Sequence, residues 1–144
     1  MPDRIKFVHL VCPRPGAPSK KTSMAEHIET GRLGEQQAAA LLESKGYRIA
    51  ARNFRSGRGE IDLIAWSPEN ILVFVEVKTR AYDSFGGPEG AVASKKMDLM
   101  ARAAGVYMES IGYEWEIRFD VIGVVLRNGE LREIRHTEDA FWPR

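Results

Sequence analysis

The segment Ile71-Leu72-Val73-Phe74-Val75-Glu76-Val77-Lys78-Thr79-Arg80 constrains the fold more than any other part of the chain. Successive strand residues point to opposite faces. Ile71, Val73, Val75 and Val77 fill one face, Leu72 and Phe74 the other. A strand apolar on both faces must lie centrally in a sheet, covered on each side by helices or loops. Glu76 and Lys78 then project together from the face of Leu72 and Phe74, two charges at the end of a buried strand.

The rest of the sequence supplies the cover. From about Ala25 to Lys45, Ile28, Leu33, Ala38, Leu41 and Leu42 approximate one helical face. Gly31 and Gly34 weaken its first half, so regular helix is expected from near Thr30, with Gly46 closing it. Strands follow at Tyr47 to Phe54, Glu60 to Trp66 and Ile71 to Arg80, joined by turns at Ser56–Gly59 and Ser67–Asn70. After a loop through Gly86-Gly87-Pro88, a second helix runs from Ala91 to Ile111 and ends at Gly112. A fourth strand, Trp115 to Leu126, turns at Arg127–Glu130 into a short fifth, Leu131 to Arg135, with a last helical turn near Thr137. The order α-β-β-β-α-β-β predicts an α/β fold, a mixed central sheet of about five strands flanked by helices.

The 144 residues suit one core. Residues 1–23, with Pro13, Pro15, Gly16, Pro18, Ser19, Lys20 and Lys21, read as a flexible N-terminal segment ahead of a domain at 24–144. The composition changes so abruptly before Met24 that Met24 is a candidate translation start, testable by intact mass of the natively expressed protein. No run approaches the roughly 20 apolar residues a bilayer span needs. No secretory leader is evident, so a cytoplasmic protein with no membrane partner is expected. Cys12 has no partner for a disulfide, and His9, His27 and His136 lack ligand spacing, which excludes a thiolate or histidine zinc site. The formal net charge of +1 gives no overall basic signature, so contacts to nucleic acid must be local. The candidates are Arg48, Arg52, Arg55, Arg58 and Arg80, then Lys95, Lys96 and Arg102, each of which is otherwise an ordinary solvated residue.

On the second strand Glu60 and Asp62 share a face, and the short turn can set Asp62 beside Glu76. An ionised carboxylate in apolar surroundings costs several kcal/mol, and a second one nearby adds repulsion. A divalent cation bridging Asp62 and Glu76 would remove that repulsion. Mg²⁺ or Mn²⁺ suits one or two carboxylates with waters and phosphate oxygens, and the Val77 carbonyl is a candidate further ligand. Lys78 would then hold or deprotonate the attacking water, or counter phosphate charge. The bland alternative is a Glu76–Lys78 ion pair, with Asp62 paired to Arg55 or Arg80.

The strings Gly59-Glu60-Ile61-Asp62-Leu63-Ile64-Ala65 and Val73-Phe74-Val75-Glu76-Val77-Lys78-Thr79-Arg80 resemble the YraN family of bacterial proteins. That family is similar to archaeal Holliday-junction resolvases and belongs with the restriction-endonuclease-like, PD-(D/E)XK superfamily. The resemblance extends over roughly Gly31 to Asp120. It takes in Gly34-Glu35, Gly46-Tyr47, Arg52-Asn53-Phe54-Arg55, Lys95 and Arg118-Phe119-Asp120, with Ile61 where the superfamily motif has a proline. It implies that Asp62 is the motif aspartate, that Glu76 and Lys78 are the (D/E)-x-K pair, and that Glu35 is the first-helix acid near the metal.

The expected function is therefore a Mg²⁺- or Mn²⁺-dependent endonuclease on DNA, branched or damaged, with Asp62, Glu76, Lys78 and Glu35 catalytic. Asp62, Glu76 and Val77 would be the metal ligands, and Arg52, Arg55, Arg80, Lys95 and Arg118 the nucleic-acid contacts. The alternative is a non-catalytic nucleic-acid-binding or protein-interaction module on the same fold. A small-molecule enzyme is disfavoured by the lack of a Gly-rich phosphate loop or a Ser/His/Asp arrangement. A homodimer is a further expectation, through the fifth strand or through Phe141-Trp142, unless those aromatics cover the core.

Overall fold

The computed structural model describes the backbone of residues 5–9, 24–81 and 94–142, and the side chains of 29–80 and 94–142. Its elements are β1 (Ile5–His9), α1 (Met24–Ser44), β2 (Arg48–Ser56), β3 (Gly59–Trp66), β4 (Leu72–Ala81), α2 (Ser94–Ile111), β5 (Ile117–Arg127) and β6 (Glu130–Thr137). The sheet order is β1-β6-β5-β4-β3-β2. Only β4 and β5 pair in parallel; the other neighbours are antiparallel. Parallel neighbours need a crossover, and α2 lies in it.

The two-sided β4 is central, as its pattern requires: Leu72, Val73, Phe74 and Val75 are all fully buried. Val73 and Val75 join Leu63, Ile122, Val124 and Ile134 under α1, which contributes Ala38, Ala39 and Leu42. Leu72 and Phe74 join Ile64, Phe119 and Val121 under α2, which contributes Met100, Ala103 and Ala104. The expected α-β-β-β-α-β-β order and flanked mixed sheet are present, with β1 as an additional edge strand.

Three local differences have physical causes. Ile5–His9, read from composition as part of a flexible segment, pairs with His9↔Glu133 through Ile5↔Thr137 along β6. The short strand expected to offer an exposed edge, here β6, is thereby covered on both sides. Helix α1 is regular from Met24, because Gly34 does not loosen it but lets it come close to the sheet. Thr137 ends β6 rather than starting a helical turn, and the chain then turns at Asp139, which takes a positive φ of 54°. Phe141 is buried in the α2-side core, whereas Trp142 is exposed. The expected loop through Gly86-Gly87-Pro88 and the first residues of the expected second helix lie outside the described residues. Among the described residues no helix is long and apolar enough to cross a membrane.

Both helices end as the sequence suggests. Tyr47 N–H donates to Leu42 O and Gly46 N–H to Glu43 O, each at 3.0 Å, with Gly46 at φ +88°. That double bond pattern satisfies the last carbonyls of α1, and Gly112 closes α2 in the same way. Midway along α1 the close approach is decisive. A Cβ on Gly34 would overlap the Thr79 side chain of β4, so this contact sets the height of α1, and of Glu35 next to it, above the sheet. Gly34→Ala is therefore expected to lower stability by about 1–3 kcal/mol through overpacking, despite alanine's advantage in a helix. Combined with Thr79→Gly, the two changes should couple favourably by about 1–2 kcal/mol in a double-mutant cycle followed by urea unfolding. Simple additivity would show that α1 does not rest on Thr79.

Candidate metal-dependent site

The β3–β4 ladder runs from Trp66↔Leu72 to Leu63↔Val75 and goes no further. Continued by one residue, it would set Asp62 directly opposite Glu76. Like charges directly opposite destabilise an antiparallel pair, and here the ladder gives way. Asp62 Oδ2 instead accepts the Val77 N–H at 2.7 Å, which occupies the donor the ladder abandons. The N–H and C=O of one strand residue point to the same side, so the Val77 carbonyl also faces Asp62.

Glu76 is buried on the α2 face of β4, and its Oε1 receives the Lys96 ammonium from the first turn of α2. Glu35 approaches from the α1 side and is half-buried. Its carboxyl is raised above its ordinary value, chiefly by burial. The Asn53 side chain acts against the rise, Glu60 and Glu76 add to it, and Arg52 offsets it. Asp62 is affected most: burial, then the charge of Glu76, push its carboxyl up to about 8. The Val77 N–H and Lys96 oppose this rise, and Glu35 reinforces it. Asp62, Glu76 and Glu35 thus form one electrostatic unit spanning the gap between two strands.

Lys78 lies two residues beyond Glu76 on the same face of β4, half-buried and level with Gly123 of β5. Among the described residues no three carboxylate, imidazole or thiolate side chains converge as a complete metal cage. The oxygens available, from Asp62, Glu76 and the Val77 carbonyl, are hard ligands. One buried and one half-buried carboxylate that retain a proton and a lysine between them fit a hard divalent cation, the rest of whose shell would come from water and substrate.

The other anticipated residues divide. Arg52, Arg80 and Lys95 are exposed, on β2, at the end of β4 and at the start of α2. Arg55 is exposed and pairs with Glu60 at 3.4 Å, so it does not pair with Asp62. Arg118 is not brought to the acids. It lies level with Val73, on the α1 face of the sheet, where Nε and Nη2 donate to the two oxygens of Asp120 at 2.8 and 2.9 Å. Two participants were given no place beside the acids by the sequence. Asn53, within the Arg52-Asn53-Phe54-Arg55 match, takes φ 50° in mid-strand, a conformation Asn tolerates better than most residues. Lys96, not Lys95, reaches Glu76; adjacent lysines can be told apart only once the helix phase is known.

The description "Uncharacterised protein family UPF0102" matches residues 34–124. The UPF0102 protein of Bacteroides thetaiotaomicron is 47% identical over 120 residues, covering 83% of this chain and 98% of its own. That of Pelobacter propionicus is 40% identical over 122 residues, covering 83% and 87%. The chain belongs to the UPF0102 family. This bears out the resemblance to the YraN group, and the matched span holds Glu35, Asn53, Asp62, Glu76, Lys78 and Lys96. A solved structure, "The structure of Pyrococcus Furiosus SfsA in complex with Ca2+", covers 87% of this chain and 74% of its own. At 15% identity and a TM-score of 0.32 it is too distant to bear on function.

The UPF0102 chain carries a second polar cluster that differs in kind. Asp120 and His136 are fully buried. Asp120 accepts from Arg118, from His136 Nε2 at 2.7 Å and from the Asp139 N–H at 2.9 Å. Lys45 Nζ lies 2.5 Å from His136 Nδ1, so the ring accepts at Nδ1 and donates at Nε2. Burial would raise the Asp120 carboxyl, yet the His136 and Arg118 hydrogen bonds bring it below its ordinary value. Arg118 also donates to Tyr47 Oη at 2.6 Å. Burial, against that guanidinium, pushes the Tyr47 hydroxyl up to about 12.

Two expectations follow. Asp62 holds its proton up to about pH 8 in the folded protein but only to about 3.8 when unfolded, so the folded state binds the extra proton between those values. Its contribution to stability therefore falls as pH rises through that window. Asp62→Asn, which can still accept from Val77, should flatten the decline in melting temperature between about pH 5 and 8; an unchanged slope would exclude Asp62 as its source. Asp120→Ala leaves Arg118 buried without its counter-charge and should cost about 3–5 kcal/mol in urea unfolding, whereas a loss below about 1 kcal/mol would contradict this reading of the cluster.

Proposed function

We propose that this protein is a Mg²⁺- or Mn²⁺-dependent endonuclease that hydrolyses phosphodiester bonds in DNA, branched or damaged DNA being the favoured substrate class. The observation that carries the reading is the juxtaposition of Asp62 and Glu76 across the end of the β3–β4 ladder, with Lys78 on the face of Glu76. Strand pairing alone would avoid this arrangement, and a hard cation makes it favourable.

Asp62 and Glu76 would hold the cation, with the Val77 carbonyl as a further oxygen. The bound ion supplies positive charge at the scissile phosphate and acidifies water. The Val77 N–H fixes one carboxylate oxygen of Asp62, which leaves the other for the ion. Lys78 orients or deprotonates the attacking water, or counters charge on the phosphate as it develops. Glu35, hydrogen-bonded to Asn53, would act on the same ion through water. Exposed Arg52, Arg80 and Lys95 supply contacts to the phosphates flanking the cut.

The test uses purified protein, a panel of linear, nicked, flapped and four-way DNA, and either metal. Cleavage is expected with metal, and Asp62→Asn, Glu76→Gln and Lys78→Met should each reduce it at least about a hundredfold. Salt-dependent binding with no product from any substrate would point instead to a non-catalytic nucleic-acid-binding module. Cleavage undiminished in all three variants would mark a contaminant.

A further inference from the structure

The Lys96 side chain is half-exposed at 51%, yet its ammonium reaches a Glu76 side chain that is only 5% exposed. It stands on the first turn of α2, which contains no acid. An ammonium is disfavoured there by the positive end of the helix dipole, so local helix structure does not hold it in place. Lys96 is drawn in by the Glu76 carboxylate, on a flexible four-carbon stem that can swing to solvent without moving the backbone.

Lys96 holds Oε1 of Glu76, so a divalent cation there would have to share the same carboxylate. A divalent cation at Asp62 and Glu76 would bring two positive groups to one carboxylate, and they would repel. We infer that Lys96 is a built-in competitor for the metal: it occupies Glu76 in the metal-free protein and is displaced when a divalent cation binds. The inference rests on the nuclease reading of Asp62 and Glu76 as ion ligands and adds a regulatory property to that site. Lys96 stabilises the acid pair when no ion is present and sets the concentration at which an ion can enter. Lys95, exposed beside it, has no such role.

The experiment is calorimetric titration of the full chain with Mn²⁺ alone, at fixed pH and salt, for wild type, Lys96→Met and Lys95→Met. Lys96→Met should bind Mn²⁺ roughly fivefold or more tightly than wild type, the effect of removing a competing ion pair. It should melt below wild type without metal and close that gap at saturating Mn²⁺, whereas Lys95→Met should follow wild type in both measurements. Should Lys96→Met fail to fold, Lys96→Gln, which keeps a donor and drops the charge, carries the same titration. Wild type that binds Mn²⁺ while the Lys96 variant binds equally or more weakly overturns this inference and leaves the metal site standing. An equal gain from Lys95→Met also overturns it, as a general surface-charge effect. Absence of Mn²⁺ binding in every variant removes the metal site and this inference together.

Discussion

Asp62 and Glu76 are set opposite one another by a register that the apolar residues of β3 and β4 dictate. The pairs Leu63↔Val75, Ile64↔Phe74 and Ala65↔Val73 are buried on one face or the other, and a slip of one residue would turn all of them to the wrong side. The acids therefore cannot escape each other by a change of pairing. The ladder ends, Asp62 takes the Val77 N–H, and Glu76 takes Lys96. These adjustments lessen the repulsion without removing it, and burial, then the remaining charge of Glu76, push the Asp62 carboxyl up to about 8.

Two aspartates of the same sheet meet opposite surroundings. Asp120 is fully buried and Asp62 is half-buried. Asp120 is met by a bidentate guanidinium, an imidazole and a backbone N–H, and it ionises more readily than a free aspartate. Asp62 is met by one backbone N–H and two neighbouring acids, and it ionises far less readily. Buried polar networks are stabilising when every member is satisfied. The Asp120 cluster balances its charge with protein groups alone, whereas the Asp62 cluster gathers acids with Lys96 as the cation drawn to Glu76. Perturbed carboxylates grouped this way mark functional sites more often than structural ones.

Much of this was legible in the amino-acid sequence because it depends on short-range pattern. The two-sided β4, the shared face of Glu76 and Lys78, and the short connection that brings Asp62 alongside follow from strand alternation. The helix ends follow from Gly46 and Gly112. What was hidden depends on three-dimensional phase or on contacts between distant segments. Lys95 and Lys96 are indistinguishable until the rotation of α2 is fixed. Arg118 and Asp120 share a face of β5 by alternation, but that this is the α1 face, away from the acids, shows only once β5 is paired with β4. Asn53 looks like any strand residue until its positive φ and its side-chain hydrogen bond with Glu35 are seen. Composition made residues 1–23 read as linker, yet the edge of β6 accepts Ile5–His9, since an unpaired strand edge pairs through backbone groups that every sequence possesses.

The location of the acids also follows from how the scaffold is held. Gly34 lets α1 rest on Thr79, just past Val77 and Lys78, so Glu35 is carried to the cluster by a helix that cannot rise away from the sheet. Glu76 and Lys78 stand on the central strand, where neighbouring β-strands fix the backbone on both sides as far as Val75, and β5 alone fixes it beyond that point. The β3 side of β4 is thus open where the chemistry would occur, and its β5 side remains rigid. Glu76 stands on a rigid strand at a place where the sheet's own hydrogen bonds stop on one side, which a fully paired sheet would not offer.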